Sequence, residues 1–277
     1  MRKKQKTMRI ICNVTAILIA LIMLFPLIWI VLNSFKYSAD IFAKPITLLP
    51  KRWTFEAYTK YLFESHLLRG YRNTFLIAVG ALAIGMILGV TSAYGLARYR
   101  MKFSKIVLLL FLLTQMLPAS LMLTPMYLTY SKMGILNSYL APILSVATTC
   151  IPFIVVTTRP FFLSLPKELD EAARIDGCNT LQSFLLVMVP IAKTGLLTAA
   201  ALSFIFGWND LAYSMTFNTK EELRPLTSII YSLINSRGIK WNAVMGLATV
   251  SIAPIVVMFL ALQDAIIGGL TAGAVKS

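Results

Sequence analysis

The chain has 277 residues, of which 58% are hydrophobic and 13% charged, and its mean hydropathy is +0.76. A soluble domain carries about 25% charge and less apolar weight, so this balance excludes an ordinary cytosolic globule and excludes disorder with it. The remaining charge is lopsided, 26 Lys+Arg against 11 Asp+Glu for a formal net of +15. In so apolar a chain that excess points to membrane topology rather than to nucleic acid.

Cysteine and histidine remove further classes. Cys12, Cys150 and Cys178 show no CxxC spacing, and an odd count makes no disulfide framework. His66 is the single histidine, which leaves neither a zinc set nor a Ser-His-Asp triad. No metal site is expected.

In chain order, a basic tail over residues 1–9 (MRKKQKTMR) leads into an apolar run from Ile10 to Leu32. That run exceeds a signal-peptide core and lacks a small-residue cleavage site, so it reads as a retained first span, bent at Pro26. A second span runs from Phe75 to Leu96, with Gly80, Gly85 and Gly89 spaced for close helix packing. The third runs from Ile106 to about Met122, broken near Pro118, with Pro125 beyond it. The fourth covers Tyr139 to Val156, the fifth Phe184 to Phe206 with an interruption at Pro190 and Lys193, and the sixth Val244 to Leu262. Residues 10–277 thus read as one all-α membrane domain of about six spans. Proline-broken spans are tolerated where protein or water satisfies the freed backbone groups, so the middle helices are expected to face a cavity or a partner.

Short-loop charge sets the orientation. The tail carries five basic residues and the loop after the second span carries Arg98, Arg100, Lys102 and Lys105, which places the N-terminus, and after six spans the C-terminus, in the cytoplasm. The segment between spans one and two falls outside yet holds seven basic residues, which runs against the rule.

Between spans four and five lies residues 164–190, SLPKELDEAARIDGCNTLQSFLLVMVP, with four of the eleven acids: Glu168, Asp170, Glu171 and Asp176. Pro166 suits a first helical turn and the early acids suit the positive end of a helix dipole. Gly177 is a natural helix-stop residue, and Asn179 with Gln182 forms a variant capping box. Two short helices at a bend follow, the second running from Thr180 to Val189. Such a pair either links two spans with its acids solvated, or offers an Ala-Ala step beside acids to a groove on a basic partner.

Glu171-Ala172-Ala173, Asp176-Gly177, Phe184 and Pro190 together resemble the EAA motif of bacterial ABC importer permeases. Gln115-Met116-Leu117-Pro118, Trp208-Asn209-Asp210 and the tail GLTAGAVK from Gly269 to Lys276 extend the resemblance to the MalG-like carbohydrate-uptake permeases. The resemblance implies the type I ABC importer fold in a bacterial inner membrane. It implies a second permease subunit as heterodimer partner, two ATPase subunits that hold ATP and Mg, an extracellular sugar-binding protein, and no nucleic acid partner. The chain itself is expected to be no enzyme and to bind no cofactor, since it has no G-x-x-x-x-G-K-[ST] stretch. Glu171, Ala172, Ala173, Asp176 and Gly177 are implied as the ATPase-coupling set, Glu171 pairing with a basic residue, the two alanines giving the contact surface and Gly177 the turn. The cargo is expected to be a di- or oligosaccharide, with glycerol 3-phosphate or another small polar solute as the alternative.

Three positions depart from the family pattern: Cys178 for a small Ala, Thr194 for a second Pro, which leaves the kink at span five in question, and Asp264 for a basic residue. Trp208, Asn209 and Asp210 suit sugar stacking and hydrogen bonding, and equally suit a helix end at the membrane interface. Gln115 suits either the cargo path or an interhelical bond. Residues 34–72, with Trp53, Phe55, Tyr58, Tyr61 and Phe63, read either as an external platform together with residues 218–241 or as amphipathic segments on the bilayer. A secondary transporter would need intramembrane charges, and the spans hold almost none beyond Lys193.

Overall fold

The computed structural model describes residues 2–61, 65–235 and 239–272. Among these all regular structure is helical, and four helices, or up to six spans if each bent pair counts as one, are long and apolar enough to cross a membrane. Two compact units divide the chain, Met1–Leu67 with Ile230–Ala253, and Leu68–Ile229 with Pro254–Ser277.

In the first unit, α1 (Arg2–Ser34) runs through Pro26 as one helix. Its apolar side chains from Met8 to Ile28 are exposed, with Ile22 and Met23 each 72% exposed, as suits lipid or a partner helix. The segment that follows is packed by its aromatics: the Phe35 ring lies 5.7 Å from Trp53, 5.5 Å from Phe55 and 5.2 Å from Tyr58. The buried Lys36 ammonium donates to Thr47 O at 2.6 Å and lies 4.7 Å from the Trp29 ring. Burial lowers its pKa, against the pull of Asp40. Short helices α2 (Ser38–Ile41) and α3 (Glu56–Tyr61) complete the segment. Ser38 Oγ bonds Asn242 Oδ1 at 2.7 Å, Phe42 packs edge-on to Trp241, and a Cβ on Gly246 would stand 2.7 Å from the Ala57 Cβ. These bonds give the segment a tertiary base of its own. The expected partners Phe63 and residues 236–238 lie outside the described residues.

The second unit is organised by α4 (Ser65–Arg98), whose Gly80, Gly85 and Gly89 approach α7 (Leu140–Ser164) closely. A Cβ at these positions would stand 2.7 Å from Ile143, 2.9 Å from Cys150 and 2.8 Å from Ile154 in turn. Between them run α5 (Ser104–Met116) and α6 (Ala119–Lys132), which meet at 99°. The break expected near Pro118 is present, and beyond it the helix runs on past Met122 to Lys132. Leu117 is extended, as a residue before proline must be, so the helix stops at Met116; α6 restarts after Pro118 and carries Pro125 inside it.

After α7 come α8 (Glu168–Ile175), α9 (Thr180–Gln182), a π-turn over Ser183–Met188 and α10 (Val189–Ile191). Then α11 (Lys193–Trp208) leaves at 82° from a break at Ala192. The kink that Thr194 left in question is present. The expected second helix from Thr180 to Val189 is present and runs on to Ile191, with Ser183–Met188 wound as a π-helix in its middle. Next follow α12 (Ala212–Phe217), a 3-10 turn at Glu221–Leu223, α13 (Leu226–Asn235) and α14 (Trp241–Ala272). α14 continues well past Leu262, the expected end of the sixth span, so Asp264 lies within it. The GAVK end of the family-like tail lies outside the described residues.

Polar ties show how the spans of this unit alternate. Asn73 at one end of α4 receives the Tyr139 hydroxyl (2.7 Å), next to the start of α7, and donates to Glu222 O and Arg224 O beyond α11. At the opposite end, Arg98 reaches the end of α7, while Thr198 near the start of α11 donates to Ala265 O late in α14 (3.0 Å).

Candidate functional site

Local sequence builds both ends of α8. Glu168, Asp170 and Glu171 occupy its first turn, where the helix dipole favours anions. At its other end Gly177 adopts φ +84°; its N–H donates to Arg174 O at 3.1 Å and the Cys178 N–H to Ala173 O at 2.9 Å. These are the two bonds of a Schellman stop, which needs a left-handed residue at this position. Asn179 Oδ1 then accepts from the Gln182 N–H, and Gln182 Oε1 from the Asn179 N–H, both at 2.9 Å. This reciprocal cap starts α9 directly. The bend between the short helices is thus set by four local hydrogen bonds.

Tertiary contacts then fasten α8 to the spans. Arg98 Nε stands 2.9 Å from Asp170 Oδ2, with side chains only 7% and 15% exposed. The same guanidinium donates to Leu165 O (2.9 Å) and Pro166 O (3.1 Å), the link between α7 and α8. Asp170 Oδ1 accepts from the Tyr94 hydroxyl at 2.8 Å and from Ser183 Oγ at 3.4 Å. Tyr94 in turn packs against Phe184 (4.8 Å) and Phe162 (5.6 Å). A cavity of about 140 Å³ opens beside this cluster, lined by Tyr94, Arg98, Lys167, Asp170, Glu171 and Arg174.

The helix presents a mixed outer face. Glu171, Ala172, Arg174 and Asp176 are exposed, and Ile175 is 86% exposed. The two alanines read as one contact surface part company: Ala172 faces outward, but Ala173 is 4% exposed and packs inward. Successive helical residues are about 100° apart, so neighbours do not share a face. Gly177 has open space around the position of a Cβ, so its role is conformational rather than steric.

The residues singled out for cargo are mostly engaged within the chain. Gln115 Nε2 donates to Thr149 O at 2.9 Å, tying α5 to α7. Trp208 is buried, stacked on Phe204 and packed near Tyr71. Asp210 is buried and caps α12: its carboxylate accepts from the Tyr213 N–H (3.2 Å), the Ser214 N–H (3.0 Å) and Ser214 Oγ (2.6 Å). Burial pushes its pKa up, and these bonds offset only part of that. Asn209 alone of the triplet is exposed. An apolar groove of about 400 Å³ between α4, α11 and α14, lined by Phe75, Phe204, Pro254 and Met258 among others, offers almost no polar group to a hydroxylated solute.

Sequence reasoning passed over Arg98, Tyr94 and Asp170. Arg98 counted only toward loop charge, and Asp170 only as one of the early acids of a helix. Nothing in their spacing joins residues 72 positions apart.

The chain belongs to the family described as "Binding-protein-dependent transport system inner membrane component", whose model matches residues 81–271. It is therefore a multi-pass inner-membrane transport subunit. It is 31% identical over 264 residues to the diacetylchitobiose uptake system permease protein DasC of Streptomyces coelicolor, covering 95% of this chain and 96% of that one. It is 29% identical to the trehalose/maltose transport system permease protein MalG of Thermococcus litoralis, covering 97% of each. Among solved structures, a chain of a bacterial ABC transporter for import of the acidic polysaccharide alginate matches with a TM-score of 0.75 at 24% identity, covering 94% of this chain and 97% of that one. The MetNI methionine ABC transporter matches with a TM-score of 0.60 over 76% of this chain and 98% of that one. At these identities the structural matches speak for the fold alone.

Proposed function

We propose that this chain is the permease subunit of an ATP-driven, binding-protein-dependent importer of di- or oligosaccharides. The observation that carries the reading is α8, a stiff helix whose outer face carries Glu171, Ala172, Ile175 and Asp176 while its inner face is bonded to the spans. In this reading the termini and α8 are cytoplasmic, and the chain pairs with a second permease as a heterodimer. Two ATPase subunits hold ATP and Mg, and an extracellular sugar-binding protein delivers cargo to the opposite face. Closure of the ATPases moves α8, and the spans rock between two access states. Glu171 pairs with a basic residue of the ATPase, as its exposure allows.

The named cargoes of relatives support a sugar: diacetylchitobiose, trehalose and maltose, and arabinooligosaccharides. Glycerol 3-phosphate gains nothing from these relatives. Within the chain, the bonds of Gln115 and Asp210 favour structural roles, and Asn209 is the member of the triplet left to meet cargo.

The test uses the complex purified through a tag on this chain and reconstituted in liposomes with its binding protein. Uptake of maltose, trehalose or diacetylchitobiose should require ATP, and the matching sugar should stimulate ATP hydrolysis. Glu171→Ala and Gly177→Val should insert normally yet lose coupled uptake. Normal ATP-dependent uptake in both variants, or uptake driven by an ion gradient alone, overturns the reading.

A further inference from the structure

We propose that Asp170 and Arg98 form a latch that hands the movement of α8 to α4, which makes both of them positioning residues for coupling. The inference rests on the reading of α8 as the helix on which the ATPase acts. The covalent path out of α8 has a gap. α8 is joined by chain to α7 through Leu165–Lys167, and to α11 through α9, the π-turn, α10 and the break at Ala192. Neither route reaches α4, the helix against which α7 packs through Gly80, Gly85 and Gly89. A helix of eight residues, roughly 12 Å long, also has too few turns to hold its own shape. Something outside α8 must keep it rigid and connect it to α4.

The Asp170 carboxylate does both. Its two oxygens tie α8, which carries them, to two other segments: α4 through Arg98 and Tyr94, and the head of the π-turn through Ser183. Arg98 completes the joint by donating to the carbonyls of Leu165 and Pro166, so the guanidinium grips the link into α8 as well. The other ion pairs among the described residues, Arg52–Asp40, Lys60–Glu56 and Arg224–Glu221, each have at least one well-exposed partner. Exposed pairs can come and go at little cost, whereas a buried pair broken on one side leaves an unpaired charge out of water. Arg98–Asp170 is of the second kind, so α8 follows α4 as a body. A push on Glu171, one residue from the joint, reaches the α4–α7 pair without first bending the kink at Ala192.

The experiment measures uptake per ATP hydrolysed in the reconstituted complex, alongside the yield of assembled complex. Asp170→Asn, Arg98→Gln and the double variant form a cycle. Because the pair acts as one unit, each single variant should lower uptake per ATP by about tenfold, the usual size of a coupling contribution, and the double variant should be no worse than either single. A part that only kept the protein folded would lower complex yield and leave that ratio alone. Should Asp170→Asn reduce assembly, Tyr94→Phe decides: it removes one bond to the same carboxylate without stranding a charge, and should lower the ratio at normal yield. Wild-type uptake per ATP in Asp170→Asn or Tyr94→Phe, with Glu171→Ala and Gly177→Val defective, overturns the latch and leaves the coupling role of α8 standing. Wild-type behaviour of Glu171→Ala and Gly177→Val removes the coupling role and the latch with it.

Discussion

Gly177 allows backbone strain to be separated from steric effects. Its φ of +84° is a conformation that side chains resist, while no atom beyond its chain neighbours lies within 4 Å of where a Cβ would sit. Substitution therefore acts through the backbone alone. A left-handed residue with a Cβ costs about 1–2 kcal/mol, which is about five- to thirtyfold in the share of chains holding the native bend. Leaving that conformation also gives up the two stop bonds of α8, each worth about 0.5–1.5 kcal/mol net. Asn tolerates the left-handed region, Ala does so poorly, and β-branched Val worst. Binding-protein-stimulated sugar uptake in proteoliposomes should fall in the order Gly, Asn, Ala, Val, with Ala about tenfold below Gly and membrane insertion unchanged. If Val matched Gly, or Asn were as poor as Val, the left-handed turn would not be what the site needs.

Three other outcomes follow from the packing and the buried acid. Gly207→Ala should lower the melting temperature of the purified protein by overpacking worth about 1–3 kcal/mol, because the new Cβ would stand 2.5 Å from the Ala78 Cα; a stabilised variant would contradict this. Asp210 has its folded pKa raised by burial, so its protonated form is favoured in the fold. Stability linked to it is fullest below the unfolded value of about 3.9 and declines as pH rises through the raised folded value. Asp210→Asn keeps an acceptor for the α12 cap and should unfold at a higher temperature than the parent at neutral pH, the gain shrinking in acid; a gain that grows in acid would reverse the sign. Gln115→Ala loses one bond to Thr149 O, worth about 0.6 kcal/mol between membrane helices, and should leave the apparent affinity for sugar unchanged; a large rise in KM would place Gln115 on the cargo path.

Much of the site was legible because its signals are local. Gly177, Asn179 and Gln182 act within one turn of where they stand, so the bend could be read from their order. Hydropathy located each long apolar segment, and Pro118 marked the break in the third, because the residue before a proline leaves the helix. The 99° angle between α5 and α6 is not written in that local signal. Asp210 read as a possible sugar ligand because an acid after Trp208 and Asn209 has the same chemistry whether it meets cargo or the N–H groups of α12. Only the distances to Tyr213 and Ser214 separate the two.

The sequence by itself determined that this is an apolar, helical, multi-span protein with one acidic loop, and it determined the bend in that loop. Water rejects such surface and short-range hydrogen bonds obey spacing, so neither conclusion needs a partner from elsewhere in the chain. The tertiary structure alone decided that Ala173 faces inward and that Asp170 is held by Arg98 and Tyr94. A buried ion pair takes its energy from desolvated proximity, and proximity across dozens of residues exists only once α4 has packed against α7.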